Sequence, residues 1–209
     1  MTNSIAEAAR KIAIDGTTIV AVNPEHGPAS IQGPQDGEDA LPGLFETFGN
    51  ELANGHAYDA VIVACFDDTG LPELKSLTSI PVLGIGEAAF HAATLLGSNF
   101  SVVTTLAVSI PVIEENIVAY GFGNHCAKVR ASGVAVLELE EEDGNSDKEI
   151  LSEAKKAIRD DNCDVVVLGC AGMADLAANM TSTLQRPVID GVCAAVVMCE
   201  GLVRMSKLD

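Results

Sequence analysis

No run of eighteen or more apolar residues occurs in the chain, so a bilayer-spanning helix is not expected. The first residues, MTNSIAEAARK, lack the apolar stretch and small-residue cleavage pattern of a secretory leader, and a cytoplasmic location is expected. No CxxC spacing links the six cysteines, which argues for free thiols over a zinc site or a dithiol redox pair. The four histidines, His26, His56, His91 and His125, do not pair at ligand spacing, and no metal is expected. Cations are scarce. Twelve Lys and Arg stand against thirty Asp and Glu, a net charge of −18, and such a chain repels the phosphate backbone of a nucleic acid. The densest acidic stretch, Glu138 to Asp143, runs into Gly144, Asn145 and Ser146. It reads as a solvated loop, because a cation site would need ligands held on a defined loop geometry.

What is abundant is apolar content, 48% over 209 residues, enough for one large domain or two compact ones. Short β-branched runs lie at Thr17–Val22, Ala60–Ala64, Pro81–Ile85, Ser101–Thr105, Val165–Gly169 and Pro187–Ile189, with a weaker one at Lys128–Ala131. Nearly continuous apolar runs separated by helix-length segments describe parallel sheet covered on both faces, an α/β fold. Two helices are well marked. Ser4 to Ile14 carries Ile5, Ala8, Ala9 and Ile12 on one face. A second opens on a capping box of Ser146 and Glu149 and continues in a stripe of Ile150, Leu151, Ala154, Ala157 and Ile158.

The chain also repeats itself. AVIVAC ending at Cys65 matches VVVLGC ending at Cys170, 105 residues later, and PVLGIGEAAFHAATLL from Pro81 matches PVIDGVCAAVVMCEGL from Pro187, 106 residues later. Two pseudo-symmetric domains follow, each a parallel sheet flanked by helices: residues 1–85 with 191–209 carrying Cys65, and residues 86–190 carrying Cys170. Open α/β sheets bind ligands beyond the carboxyl ends of their strands, so both cysteines are expected to face one cleft between the domains. The strand Ser101–Thr105 has no counterpart in the first half, since the shift would place it before Met1. A first strand missing from domain 1 is therefore expected.

A strand-end thiol followed by a helix feels the positive end of the helix dipole, which can lower its pKa and favour a thiolate base. A lone cysteine of this kind is more often a core residue than a catalytic one. A pair related by the repeat is different, because duplication gives no packing reason for both thiols to sit at the cleft end of the sheets. One thiolate abstracting a proton beside a carbonyl, with a second group on the opposite face, is the requirement of racemisation. Backbone amides of Gly70, Gly172 and Met173 are candidate donors to the enolate oxygen. Asp67 and Asp68 follow Cys65, whereas neutral residues follow Cys170, so Cys170 is expected to be the more acidic thiol. Cys126, Cys163, Cys193 and Cys199 lack the strand-end placement and read as structural. Ser30, Thr104 and Thr105 lie where hydroxyls could orient a substrate, or satisfy loop backbone instead. Gly84, Gly86 and Ala89 form a GxGxxA pattern, but the next strand ends SVVTT without an acidic residue for a ribose. Close helix-to-strand packing is favoured over a dinucleotide. His91 reads as helix surface or an interdomain contact.

ACFDDTGL around Cys65, GIGEAAFHAA from Gly84, SVVTTL from Ser101, KVRASG from Lys128, VLGCAGMADL around Cys170, GPASIQG at Gly27–Gly33 and the late EGLV together resemble the hydantoin racemase group. This group, which includes allantoin racemases, lies in the aspartate/glutamate racemase superfamily, and the resemblance covers nearly the whole chain. It implies a two-domain α/β isomerase that needs no cofactor, neither pyridoxal phosphate nor metal. Such an enzyme inverts C5 of a five-membered cyclic ureide, with Cys65 and Cys170 as its two acid–base residues. Hydantoin is the expected small-molecule substrate, allantoin the alternative, and a homo-oligomer the expected assembly. Decarboxylase and maleate isomerase relatives are disfavoured, being expected to carry other residues at one or both cysteine positions. Members of the group typically begin with a strand ending in an Asn-Pro-Asn loop, and MTNSIAEAAR resembles the helix after it. A binding protein that keeps the cleft without turnover is the competing expectation tied to that gap.

Overall fold

The computed structural model describes residues 1–141 and 145–207. In order they form α1 (Thr2–Ile12), α2 (Pro34–Ala53), β1 (Val61–Val63), α3 (Leu71–Leu77), β2 (Val82–Gly84), α4 (Ile85–Leu96), β3 (Phe100–Thr104), α5 (Ile110–Ala119), β4 (Cys126–Ala131), α6 (Asn145–Asp160), β5 (Val165–Gly169), α7 (Ala177–Leu184), β6 (Val188–Asp190) and α8 (Gly191–Ser206). Short 3-10 turns occupy Ala107–Ser109, Val136–Glu140 and Ala171–Leu176. None of the described helices is long and apolar enough to cross a membrane.

Every strand pairing is parallel. β1 and β2 form one small sheet, and β4-β3-β5-β6 form a second. β3 and β5 are buried at every residue, as parallel strands covered on both faces must be. Alternation along these strands sorts their side chains to two sides. Val102, Val165 and Val167 join Ala88, Ala89 and Phe90 of α4 and Ala195 and Val196 of α8 in one core cluster. Val103, Val166 and Leu168 face Ile150, Ala154 and Ala157 of α6 in another. The stripe read for α6 therefore faces the core, with Leu151 and Ile158 packed at its edge.

The repeat reappears as register. Val61, Ile62 and Val63 pair with Val82, Leu83 and Gly84, and Val166, Val167 and Leu168 pair with Val188, Ile189 and Asp190. Each pair of the second set lies at the sequence shifts of 105 and 106 from one of the first. Residues of the two halves meet in the first cluster. Phe66, next to Cys65, stands edge-on to Phe90 at 5.6 Å between centroids, and Phe90 stacks on Phe100 of β3 at 5.6 Å.

Some expectations give way. Thr17–Val22 forms no strand: Val20 and Val22 are exposed, and no described strand lies alongside to complete a ladder. β propensity alone does not make a strand without a partner backbone. α1 ends at Ile12 and buries Ala6, Ala8 and Ala9 against α8 and the 171–176 turn, while Ile12 is exposed and Ile5 half-buried. Small residues let α1 lie close to α8. Asn145 is already helical, so Ser146 is not the cap of α6, and its hydroxyl donates to the Glu138 carbonyl at 3.0 Å. Part of the acidic stretch is a 3-10 turn rather than a loop, with Glu138 and Glu140 exposed. Glu142 and Asp143 lie outside the described residues.

Candidate active site

β1 stops at Val63, and the chain turns back at once after Cys65. The Asp68 amide donates to the Cys65 carbonyl at 3.0 Å, closing a turn in which Phe66 and Asp68 are buried and Asp68 takes a φ of 49°. A non-glycine residue in the left-handed region needs compensation. Here the Asp68 carboxylate supplies it by accepting from the Gly86 amide at 3.0 Å, the Glu87 amide at 2.7 Å and the Tyr120 hydroxyl at 3.1 Å. Asp68 thus caps the N-terminus of α4 from outside the helix.

The GxGxxA segment makes that seat. A Cβ at Gly84 would stand 2.0 Å from Asp68 Oδ1, and one at Gly86 2.5 Å from the Phe66 carbonyl oxygen. Its glycines admit a carboxylate of the chain itself, and Ala89 packs fully buried in the core. In the second half the cap is arranged differently. Asp190, at the position equivalent to Gly84, accepts from the Cys193 amide of its own helix at 2.9 Å, and Met173 stands where the first half has Asp68.

Asp67 lies between these fixed points. Its carbonyl accepts from Asn116 Nδ2 at 2.8 Å, and its amide is directed at the Cys65 thiol. The Cys65 sulfur is also 3.5 Å from the Thr69 hydroxyl. Cys170 follows β5 directly, with extended backbone, and opens the 171–176 turn. The Gly172 amide is directed at the Cys170 sulfur, and the Met173 amide donates to the Cys170 carbonyl at 3.1 Å. A cavity of about 290 Å³ reaches Gly172, walled by Ser4, Leu139, Glu140 and Asp175, and it holds neither thiol.

Burial dominates the acidity of both thiols. It pushes Cys65 up to about 12, reinforced by the charge of Asp67 and opposed by the Thr69 hydroxyl. It pushes Cys170 up to about 11, opposed by the Gly172 amide and reinforced, again, by Asp67. The expected lowering by a helix terminus is overruled, because α3 begins only at Leu71 and the turn after Cys170 is a short 3-10 segment. The charges act in the expected sense, since Asp67 and Asp68 both raise Cys65 whereas Asp67 alone raises Cys170. One carboxylate acting on both sulfurs also means that the two strand-end thiols share an electrostatic neighbourhood, although their sequence positions are far apart. Burial raises Asp67 itself to about 6. Burial raises Asp68 to about 7 against the pull of its two amides and Tyr120.

The other sequence candidates are placed as follows. Thr104 is buried and donates to the Gly169 carbonyl at 3.0 Å, while the Thr105 carbonyl accepts from the Gly133 amide at 2.9 Å. The Thr104 hydroxyl therefore serves the strand-end backbone, as does the Thr105 carbonyl. Gly70 takes a φ of 70° against Leu41 and Leu44 of α2. Ser30 is half-buried in a loop whose next residues reach the second half: Gln32 Oε1 accepts from the Val136 amide at 2.9 Å, and Gly33 packs on Val108. The amides of Gly172 and Met173 are turned to Cys170 itself. His91 is exposed, edge-on to Phe122 at 4.8 Å. Among the described residues, no three His, Cys, Asp or Glu side chains gather as a metal-binding group. Thr69, Asn116 and Tyr120 were not singled out in the sequence. Thr69 was within reach as the fourth residue after Cys65, but the contacts of Asn116 and Tyr120 depend on how α5 lies over the turn.

The model of a family described as Asp/Glu/Hydantoin racemase matches residues 1–199. The chain is 40% identical to a hydantoin racemase of Rhizobium meliloti over 97% of this chain and 83% of that one. It is 36% identical to a hydantoin racemase of Pseudomonas sp. strain NS671 over 99% of this chain and 82% of the other. An allantoin racemase from Klebsiella pneumoniae superposes with a TM-score of 0.94 at 40% identity, covering 98% of this chain and 83% of that structure.

Proposed function

Because the chain belongs to the Asp/Glu/hydantoin racemase family, and is by that membership an isomerase, we propose that it racemises 5-monosubstituted hydantoins at C5. Cys65 and Cys170 are the two acid–base groups. The observation that carries the reading is the placement of two strand-end thiols by the repeat, with one carboxylate acting on both. The C5 proton is acidic because the electron pair left behind spreads onto the neighbouring carbonyl. One sulfur, as thiolate, removes it from one face of the ring. The other, as thiol, returns a proton to the opposite face, and the two have exchanged protonation states when the product leaves.

A thiol with a pKa of about 11 is ~0.1% thiolate at pH 8. The resting pair is therefore largely protonated, and Asp67 opposes charging both sulfurs at once. Gly70 remains a candidate backbone donor to the developing oxyanion, and Ser30 and Thr105 candidate hydroxyls around the ring, whereas the Gly172 and Met173 amides and the Thr104 hydroxyl are engaged by Cys170 and the Gly169 carbonyl. The same reading divides the chain into 1–85 with 191–209 and 86–190, with the cleft between them. It includes a homo-oligomer acting in the cytoplasm.

Allantoin is the second reading, supported by the fold similarity to the Klebsiella pneumoniae allantoin racemase. Both substrates present the same ring C5–H to the thiols and differ in the substituent. Decay of circular dichroism with enantiopure 5-benzylhydantoin and with enantiopure allantoin separates them. Faster decay of the hydantoin is expected, the reverse order selects allantoin, and no decay with either defeats both.

A further inference from the structure

Of the carboxylates in the described residues that are buried or half-buried, all but one are hydrogen-bonded. Asp36, Glu51, Asp68, Glu87, Glu153, Asp161, Asp190 and Glu200 each have a partner. Asp67 is the exception: its amide and its carbonyl are both engaged, and its half-buried carboxylate has no partner among the described residues. A charge withdrawn from water without a partner is costly, and such a group persists where something else supplies the partner. The side chain cannot easily swing away. Phe66 and Asp68 on either side are buried, Asn116 holds the Asp67 carbonyl, and Asp68 is anchored on α4.

We propose that the Asp67 carboxylate accepts a hydrogen bond from a ring N–H of the bound substrate, and so fixes a neutral cyclic ureide with its C5 between Cys65 and Cys170. This rests on the racemase reading and adds to it a residue that touches the substrate. The chemistry selects the ligand class. Hydantoin and allantoin rings present N–H donors beside the reacting carbon and carry no carboxylate. A free amino acid would offer an ammonium to Asp67, but it would also bring a carboxylate beside it. No lysine or arginine among the described residues acts on Asp67 or on Cys170 to receive that second charge. Asp67 therefore works as a filter against anionic substrates as well as an acceptor.

Binding, read apart from turnover, tests this. Dissociation constants of 5-benzylhydantoin and its N1-methyl and N3-methyl derivatives are measured by calorimetry for the parent chain, Asp67→Asn and Asp67→Ala. Methylating the nitrogen that faces Asp67 is expected to weaken binding to the parent by roughly 10- to 150-fold, the range of a charge-assisted hydrogen bond. The same methylation is expected to matter less than about threefold in Asp67→Ala, with Asp67→Asn between the two. Equal methylation penalties in parent and Asp67→Ala, or none at either nitrogen in the parent, would overturn the proposal. If Asp67→Ala fails to fold, Asp67→Asn decides. In that variant alkylation of both Cys65 and Cys170 must also move to lower pH, and a shift at neither thiol counts against the placement. Exchange of the C5 proton with solvent deuterium in the parent tests the racemase reading separately, since binding without exchange leaves the Asp67 contact measurable.

Discussion

Replacing Gly84 with alanine should cost more than any glycine-to-alanine change at an ordinary strand end. The new Cβ would stand 2.0 Å from Asp68 Oδ1 and 2.3 Å from its Cγ, so the carboxylate must leave its seat on α4. With it go the bonds from the Gly86 amide, the Glu87 amide and Tyr120. Hydrogen bonds to a charged group contribute about 1.5–3 kcal/mol each, and loss of a helix cap about 1 kcal/mol. These contributions overlap, and part of the loss is recovered from water, so the expected destabilisation is about 3–5 kcal/mol, a large share of the ~5–15 kcal/mol of a typical domain. Urea unfolding of four chains checks it: parent, Gly84→Ala, Asp68→Ala and the double variant. The three atoms nearest the added Cβ all belong to Asp68. Once Asp68 is alanine, Gly84→Ala should therefore cost less than about 1 kcal/mol more. A loss below about 1 kcal/mol for Gly84→Ala alone, or additive losses in the double variant, would refute the cradle.

Alkylation by iodoacetamide should titrate at lower pH at Cys170 than at Cys65, following values of about 11 and about 12; peptide mass spectrometry of Cys65→Ala and Cys170→Ala chains separates each of the pair from the other four cysteines, and the reverse order contradicts the assignment. Burial raises Asp67 to about 6 and Asp68 to about 7 from an ordinary 3.8, so the folded chain holds protons that the unfolded chain releases over this interval. That contribution to stability is fully present below about pH 4 and lost as pH rises through 6 and 7. The urea midpoint should accordingly fall from pH 5 to pH 8, and fall less in Asp68→Asn; a rise in the parent would contradict it. Ile150→Ala, at a fully buried position between α6 and the sheet, should cost about 2–5 kcal/mol in the same assay.

The strands of the large sheet were legible because β5 is a continuous apolar run and β3 centres on Val102 and Val103, and burial on both faces leaves no regular polar alternation to confuse them. The repeat is also kept in the register, since Val63 with Gly84 and Leu168 with Asp190 preserve the sequence shifts. Thr17–Val22 misled because strand formation depends on a neighbouring backbone that local composition cannot reveal. The aspartates after Cys65 are visible in the sequence as charges, and both raise that thiol, as their sign dictates. That Asp68 is a helix cap was not legible, because its amide partners lie eighteen and nineteen residues further on. A signal did exist in the repeat, where Gly84 and Asp68 of the first half stand opposite Asp190 and Met173 of the second. An acid lost from one cap position is regained in the preceding turn. The depressed thiol pKa expected from a helix terminus is not found at Cys65, because burial outweighs a helix dipole that begins too far along the chain.

The central claim, that two thiols serve opposite faces of one carbon, is tested most directly by solvent deuterium incorporation at C5 of each enantiomer of 5-benzylhydantoin, in D2O, with the parent, Cys65→Ala and Cys170→Ala. The parent should give racemic product deuterated at C5. Each single variant keeps one base, so it should lose racemisation while still exchanging the C5 proton of one enantiomer with retention, and the two variants should favour opposite enantiomers. Racemisation surviving in either variant, or both variants exchanging the same enantiomer, would contradict the account.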